Sequence, residues 1–113
     1  MPVKRIWHGW TTHENAATYA HLLHTEILPG IAAKNIPGYQ SIDLLRREHA
    51  DEVEFTTVMT FGSLDDVVAF QGEDYRRAYV PGSAQRVLER WDTEAAHYEV
   101  VESNVYAPPE AGQ

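Results

Sequence analysis

The stretch Val53-Glu54-Phe55-Thr56-Thr57-Val58-Met59-Thr60-Phe61 alternates at period two, with Val53, Phe55, Met59 and Phe61 on one face and Val58 among threonines on the other. Branched and aromatic residues in that rhythm specify a strand with one buried face. Before it, Gln40 to Glu48 reads as another strand and His49-Ala50-Asp51-Glu52 as a short polar connection, so the two pair as an antiparallel hairpin. Ile36-Pro37-Gly38-Tyr39 is the turn that leads into it. Further back, Ala16, Tyr19, Leu22, Leu23 and Ile27 recur at helical spacing, which predicts one amphipathic helix over about 13–33, bending or ending near Pro29-Gly30. Residues 3–10 are rich in β-formers and stop at Thr11-Thr12-His13-Glu14, which matches a capping box opening that helix.

Downstream, Gly62-Ser63-Leu64-Asp65-Asp66 supplies a serine cap with acids in the first turn of a short helix through Phe70, and Gly72 interrupts it. A further helical piece is expected over 73–79, a third from Ser83 carrying Val87, Leu88 and Trp91, and a last strand over 97–103. The order β-α-β-β-α-β predicts an α+β, ferredoxin-like fold with an antiparallel four-stranded sheet. Residues 1–106 form a single domain and 107–113 are expected to be a flexible tail. Helices cover one face of such a sheet. The other face, with Val58 and residues of the last strand, is too apolar to be simply solvated, which predicts a homodimer joined sheet to sheet.

The 113 residues carry 9 Lys+Arg against 17 Asp+Glu, a net charge of −8, with 43% apolar and 23% charged residues. No basic run exceeds a pair (Lys4-Arg5, Arg46-Arg47, Arg76-Arg77), which argues against nucleic acid and anionic membranes as partners. No apolar stretch approaches the roughly 20 residues of a membrane span and no secretory signal is evident, so the expected location is the cytoplasm. The absence of cysteine excludes disulfides, iron–sulfur ligation and thiol catalysis. Chemistry must run on His, Tyr, Trp, Arg and carboxylates, or on a bound molecule.

His21 and His24 have a spacing that can serve a metal, but both project away from the apolar stripe, so a solvated face outweighs a ligand pair and no metal site is expected. Glu26 falls within the stripe, where it is either a general base facing a pocket or a carboxylate near the helix end that pairs with Arg46 or Arg47 or reaches solvent. Tyr75 and Tyr79 would share a helical face beside Arg76, suited to binding a keto or phenolic oxygen, or to packing with hydroxyls at the rim. His97 is the preferred general base, against a structural hydrogen-bonding role, and only one of His97 and Tyr98 can face a pocket. Trp7 and Trp10 lie on opposite faces of the first strand, one facing a pocket and the other a partner. Trp91 is expected in a helical stripe.

The stretches Ile6-Trp7-His8-Gly9-Trp10-Thr11, Ile36-Pro37-Gly38-Tyr39, Gly72-Glu73-Asp74-Tyr75 and His97-Tyr98-Glu99-Val100 resemble the antibiotic biosynthesis monooxygenase family, over residues 3–103. The resemblance implies a dimeric α+β barrel with a pocket between sheet and helices. It also implies a cofactor-independent monooxygenase oxidising a small aromatic, phenolic or enolisable substrate with O2. Such chemistry is possible because an ionised phenol or enol is itself the reductant. His97 would assist deprotonation, Tyr75 and Arg76 would stabilise the oxyanion, Trp7 would stack on the ring, and Tyr79 and Glu26 would bind substrate. The heme-degrading branch of the family has an asparagine, a tryptophan and a histidine where this chain has Trp7 or His8, Phe70 and Val80, so heme is disfavoured. The alternatives are a cofactor-free acid–base cyclase or lyase, and a non-catalytic dimeric small-molecule-binding or stress-associated protein. A dimer would carry −16, which makes an anionic substrate less expected unless arginines are focused at the pocket.

Overall fold

Strand β1 (Val3–Thr11) alternates buried and half-buried residues along its whole length, and the rest of the sheet is registered on it. The structure, a computed structural model, describes residues 1–107. β1 pairs antiparallel with β3 (Val53–Phe61), from Val3 opposite Phe61 to Thr11 opposite Val53. β2 (Tyr39–Glu48) pairs antiparallel with the far side of β3. The free edge of β1 is shared by β4 (Arg90–Trp91) and β5 (Ala96–Glu99), so the fourth position of the expected sheet is filled by a broken strand. The break stays tied to β1: the Trp7 indole N–H donates to the Asp92 carbonyl at 2.8 Å, and the Asp92 amide donates to the His8 carbonyl at 2.9 Å.

Because side chains alternate, this register sends Val3, Arg5, Trp7, Gly9 and Thr11 toward the helices, with Val53, Phe55, Thr57, Met59 and Phe61. Lys4, Ile6, His8 and Trp10 share the opposite face with Val58 and its flanking threonines. The core lies on the first of these faces, in one cluster around Trp7, Tyr19, Leu23 and Phe55 and another around Val3, Ile31, Met59, Phe61 and Phe70.

The first helical region is α1 (Ala16–Leu22), a π turn (Leu23–Ile27) and α2 (Leu28–Ala32). The helix runs on through Pro29-Gly30 to Ala32, and its irregularity lies one turn earlier, in the π turn. Pro29 has no N–H to give, and the wider i→i+5 turn ahead of it, closed by the Leu28 amide on the Leu23 carbonyl, accommodates that loss. The cap is displaced too: the Thr12 hydroxyl accepts from the Asn15 amide, while Thr11 is the buried last residue of β1 and its hydroxyl has no partner among the described residues. α3 (Leu64–Gln71) has Ser63 as its N-cap, accepting from the Asp66 amide, and stops at Gly72, whose φ of +99° continues no helix.

Three expectations fail beyond Gly72. Residues 73–79 are not helical, because their backbone groups are drawn elsewhere: the Tyr75 and Arg77 carbonyls accept from Arg5, the Ala78 amide reaches Thr93, and the Arg76 carbonyl takes the Ala95 amide. The next helix, α4 (Gly82–Gln85), is a single turn, and Trp91 lies in β4 opposite Gly9 rather than on a helical stripe. The last strand ends at Glu99, leaving Val101 exposed. All but Ala107 of the tail expected to be flexible lies outside the described residues.

Gly9 allows the Trp7 indole to lie across the strand. A Cβ at Gly9 would stand 2.5 Å from Trp7 Cη2 and 3.1 Å from Leu88 Cδ2. Gly9→Ala should therefore lower unfolding free energy by about 1–3 kcal/mol, as other overpacked sites do. Gly30→Ala, in α2 with nothing within 4 Å of the added carbon, should be neutral or raise it by about 0.5–1 kcal/mol. Urea unfolding of the two variants checks the pair.

Candidate functional site

Between the two core clusters the sheet and helices do not close. The cavity left there holds about 520 Å3 not filled by protein atoms, its open mouth included. β1 contributes Arg5 and Trp7, β2 and β3 contribute Ile42, Thr57 and Met59, and the first helical region contributes Tyr19, Leu23, Ile27, Leu28 and Ile31. Phe70 and the irregular segment with Tyr79 and Val80 complete the wall. The π turn matters here. It brings Leu23, Ile27 and Leu28 all to the cavity within six residues, and it turns Glu26 out to solvent.

The wall is apolar and aromatic, with one full charge. Arg5 is 3% exposed and has no carboxylate within 4.0 Å among the described residues. Its Nη1 donates to the Tyr75 carbonyl and, at 2.8 Å, to His97 Nε2, and its Nη2 donates to the Arg77 carbonyl at 2.9 Å. Phe70 lies under the guanidinium, 5.6 Å from its carbon to the ring centroid. Burial lowers the Arg5 pKa to about 10, which leaves it cationic at neutral pH. Of the five N–H groups of an arginine, three are engaged, and Nε–H and one Nη2–H have no partner among the described residues.

His97 faces Arg5 from β5. An arginine only donates, so Nε2 of His97 is the acceptor and a neutral ring carries its proton on Nδ1. Burial first, then the charges of Arg5 and Arg76, push its pKa down to about 4. Tyr75 packs edge-on against it at 5.2 Å, and both line a second cleft with Val3, Leu64, Tyr98 and Glu99. Tyr19 is buried, and desolvation raises its phenol pKa far above the usual value, so it stays protonated.

The six residues singled out from the sequence thus separate. Trp7 and Tyr79 line the main cavity, Tyr79 at its mouth with 42% exposure. Tyr75 and His97 sit behind Arg5, and the tyrosine reaches it through a backbone carbonyl rather than its phenol. Arg76 is exposed beside the Tyr75 ring, and Glu26 is exposed without either of the expected arginine partners, Arg46 pairing instead with Glu48. His21 and His24 face solvent, and no group of three or more metal-ligating side chains occurs among the described residues. Trp10 is on the open face under the Arg90 guanidinium, 3.8 Å from ring centroid to carbon.

Arg5 and Tyr19 are the residues that side-chain motifs did not suggest. Alternation could have found Arg5, since it is in phase with Val3 and Trp7 and out of phase with Lys4. Lys34 lies against two of the lining rings, its Nζ 4.7 Å from the Phe70 centroid and 4.4 Å from that of Tyr79.

No protein-family model and no curated protein matches this sequence. Solved structures do. A Bacillus cereus protein named for the antibiotic biosynthesis monooxygenases is matched with a TM-score of 0.67 and 11% identity, over 93% of this chain and 98% of that one. A Nitrosomonas europaea protein of the same designation is matched at 0.61 and 12%, over 88% and 90%. SnoaB of Streptomyces nogalater, described as a cofactor-independent oxygenase, is matched at 0.55 and 16%, over 90% and 95%. The fold is that of the antibiotic biosynthesis monooxygenase-like proteins.

The half-buried His97 also fixes a pH dependence. Unfolded, a histidine binds its proton near pH 6.5, and in the fold near 4. Between those values the unfolded chain holds more protons. The stabilisation from neutral His97 is complete above about pH 6.5 and is lost as pH falls through about 4. The urea midpoint should therefore drop between pH 7.5 and 4.5, and drop less in His97→Gln.

Proposed function

We propose that the protein is a cofactor-independent monooxygenase acting on a small aromatic or enolisable compound in the cavity between sheet and helices. The observation that carries this reading is Arg5, a buried cation on an otherwise apolar and aromatic wall. A ring or enol held against Trp7 would have its oxygen at the guanidinium, which favours the ionised, electron-rich form that O2 can oxidise. For a phenol oxidised to a quinone the balance is one O2 consumed, one oxygen atom gained by the ring and one molecule of water released. The substrate supplies all four electrons, and neither metal nor flavin is required. Tyr19 offers a protonated hydroxyl and Tyr79 guards the mouth. His97 and Tyr75 act through Arg5 by holding its guanidinium in place, and Arg76 adds positive charge outside them. The resemblance to SnoaB supports the class of reaction, at the level of fold.

A second copy of the chain covering the open sheet face belongs to the same proposal. Ile6 and Val58 lie there, flanked by Leu45 at 51% and Tyr98 at 57% exposure. Sedimentation should give twice the chain mass, and Val58→Asp should give a folded monomer. A wild-type monomer at micromolar concentration would contradict the assembly.

Oxygen decides the reaction. With a phenolic substrate such as a hydroxyanthrone, product formation should stop when O2 is removed, and should fall at least about 100-fold in Arg5→Met, as when one oxyanion donor is lost. Undiminished anaerobic turnover would instead favour a cyclase or lyase.

A further inference from the structure

We infer that the main cavity takes an organic anion: a carboxylate, or an enol or phenol acidic enough to arrive ionised, attached to an apolar body. The inference deepens the oxygenase reading by naming the charge state of the substrate. It rests on that reading for the reaction, while the binding argument stands on the cavity alone.

Three observations converge. Arg5 is almost fully buried yet has no carboxylate partner among the described residues, so the fold holds a positive charge that it does not itself neutralise. Such a charge is costly without a counter-ion, and an anion bound there recovers that cost. The three acceptors that Arg5 does have belong to Tyr75, Arg77 and His97, none of which lines the cavity. The two donors left free, on Nε and Nη2, are neighbours on the guanidinium. Neighbouring donors match the two oxygens of a carboxylate, or one enolate oxygen between them.

The rest of the wall says what the anion is attached to and why it arrives ionised. Leu23, Ile27, Leu28, Ile31, Ile42 and Met59 offer surface only to hydrocarbon or an aromatic ring. Among the described residues, no histidine and no carboxylate lines the cavity. Burial holds the Tyr19 phenol protonated, and with neither imidazole nor carboxylate on the wall among the described residues a neutral acid entering would find no such base to take its proton. An acid ionised in water beforehand needs none. Lys34, its ammonium over the Phe70 and Tyr79 rings that line the cavity, adds a second positive charge close to the wall, and it has no ion-pair partner among the described residues. In a chain of net charge −8, the only full charge that the described residues place on the cavity wall and the charge over its Phe70 and Tyr79 rings are both positive.

Titration calorimetry of the full chain with 2-naphthoate, 2-naphthamide and acetate tests this without turnover. Naphthoate should bind at least about tenfold more tightly than its neutral amide, the size expected of charge-assisted hydrogen bonds in a buried site. Acetate, which has the charge but not the body, should bind much more weakly than naphthoate. Arg5→Met should abolish the preference for acid over amide, and Arg5→Lys should keep part of it. Should Arg5→Met not fold, Lys34→Met reads the same field from beside the lining rings: a two- to fivefold loss for naphthoate, roughly, with the amide unchanged. Equal wild-type binding of acid and amide, no naphthoate binding at millimolar concentration, or a preference that survives in a folded Arg5→Met would each overturn the inference. Oxygen-independent turnover would remove the oxygenase reading and leave these affinities untouched.

Discussion

A guanidinium taken out of water without a carboxylate to meet it is the constraint around which this structure is arranged. The desolvation of such an ion costs several kcal/mol even after relaxation, and hydrogen bonds must offset it. Here they come from three directions: two carbonyls of the chain after Gly72 and the imine nitrogen of His97. The same bonds shape the backbone. Carbonyls of Tyr75 and Arg77 that a helix would have used internally are turned toward Arg5, and the segment runs on irregularly to Val80, where it becomes a wall of the cavity. The ion, the irregular segment and the cavity are one feature.

That coupling accounts for how much of the molecule could be read from its residues. Period-two alternation in 53–61 and the β-formers of 3–10 give β3 and β1 almost to the residue, because a strand with one buried face leaves a local record in its sequence. The same holds for Ser63 as a cap and Gly72 as a stop. The chain from 73 to 99 leaves no such record. Tyr75 and Tyr79 suit a helix by spacing, but the competing hydrogen bonds come from Arg5, 70 residues away in the case of Tyr75. Trp91 likewise has helical neighbours in sequence, yet pairs with Gly9.

The site was legible in kind more than in detail. An aromatic wall follows from residue type, but strand phase alone leaves open which of Trp7 and Trp10 faces inward, and Tyr79 reaches the cavity from an irregular segment rather than from the helix its spacing suggests. Glu26 reaches solvent, one of the alternatives its sequence position leaves open; 3.6 residues per turn sets it nearer the apolar stripe than the wider turn does, and no local pattern announces a π turn except Pro29 just beyond it. Arg5 is the instructive case. Beside Lys4 it looks like half of a basic surface pair, whereas its phase with Val3 and Trp7 puts it inside. Net charge misleads for a similar reason: −8 describes the surface of the chain, while the cavity has the opposite sign.

The central claim is that Arg5 presents unneutralised donors to the cavity. A crystal structure of the protein soaked in a small aromatic carboxylate tests it most directly. The carboxylate should lie within about 3 Å of Arg5 Nε and Nη2, with its ring between Trp7 and Ile42 and with Tyr75, Arg77 and His97 still on the other side of the guanidinium. An acid seated elsewhere, or an Arg5 already closed by a carboxylate of the chain, would contradict the account.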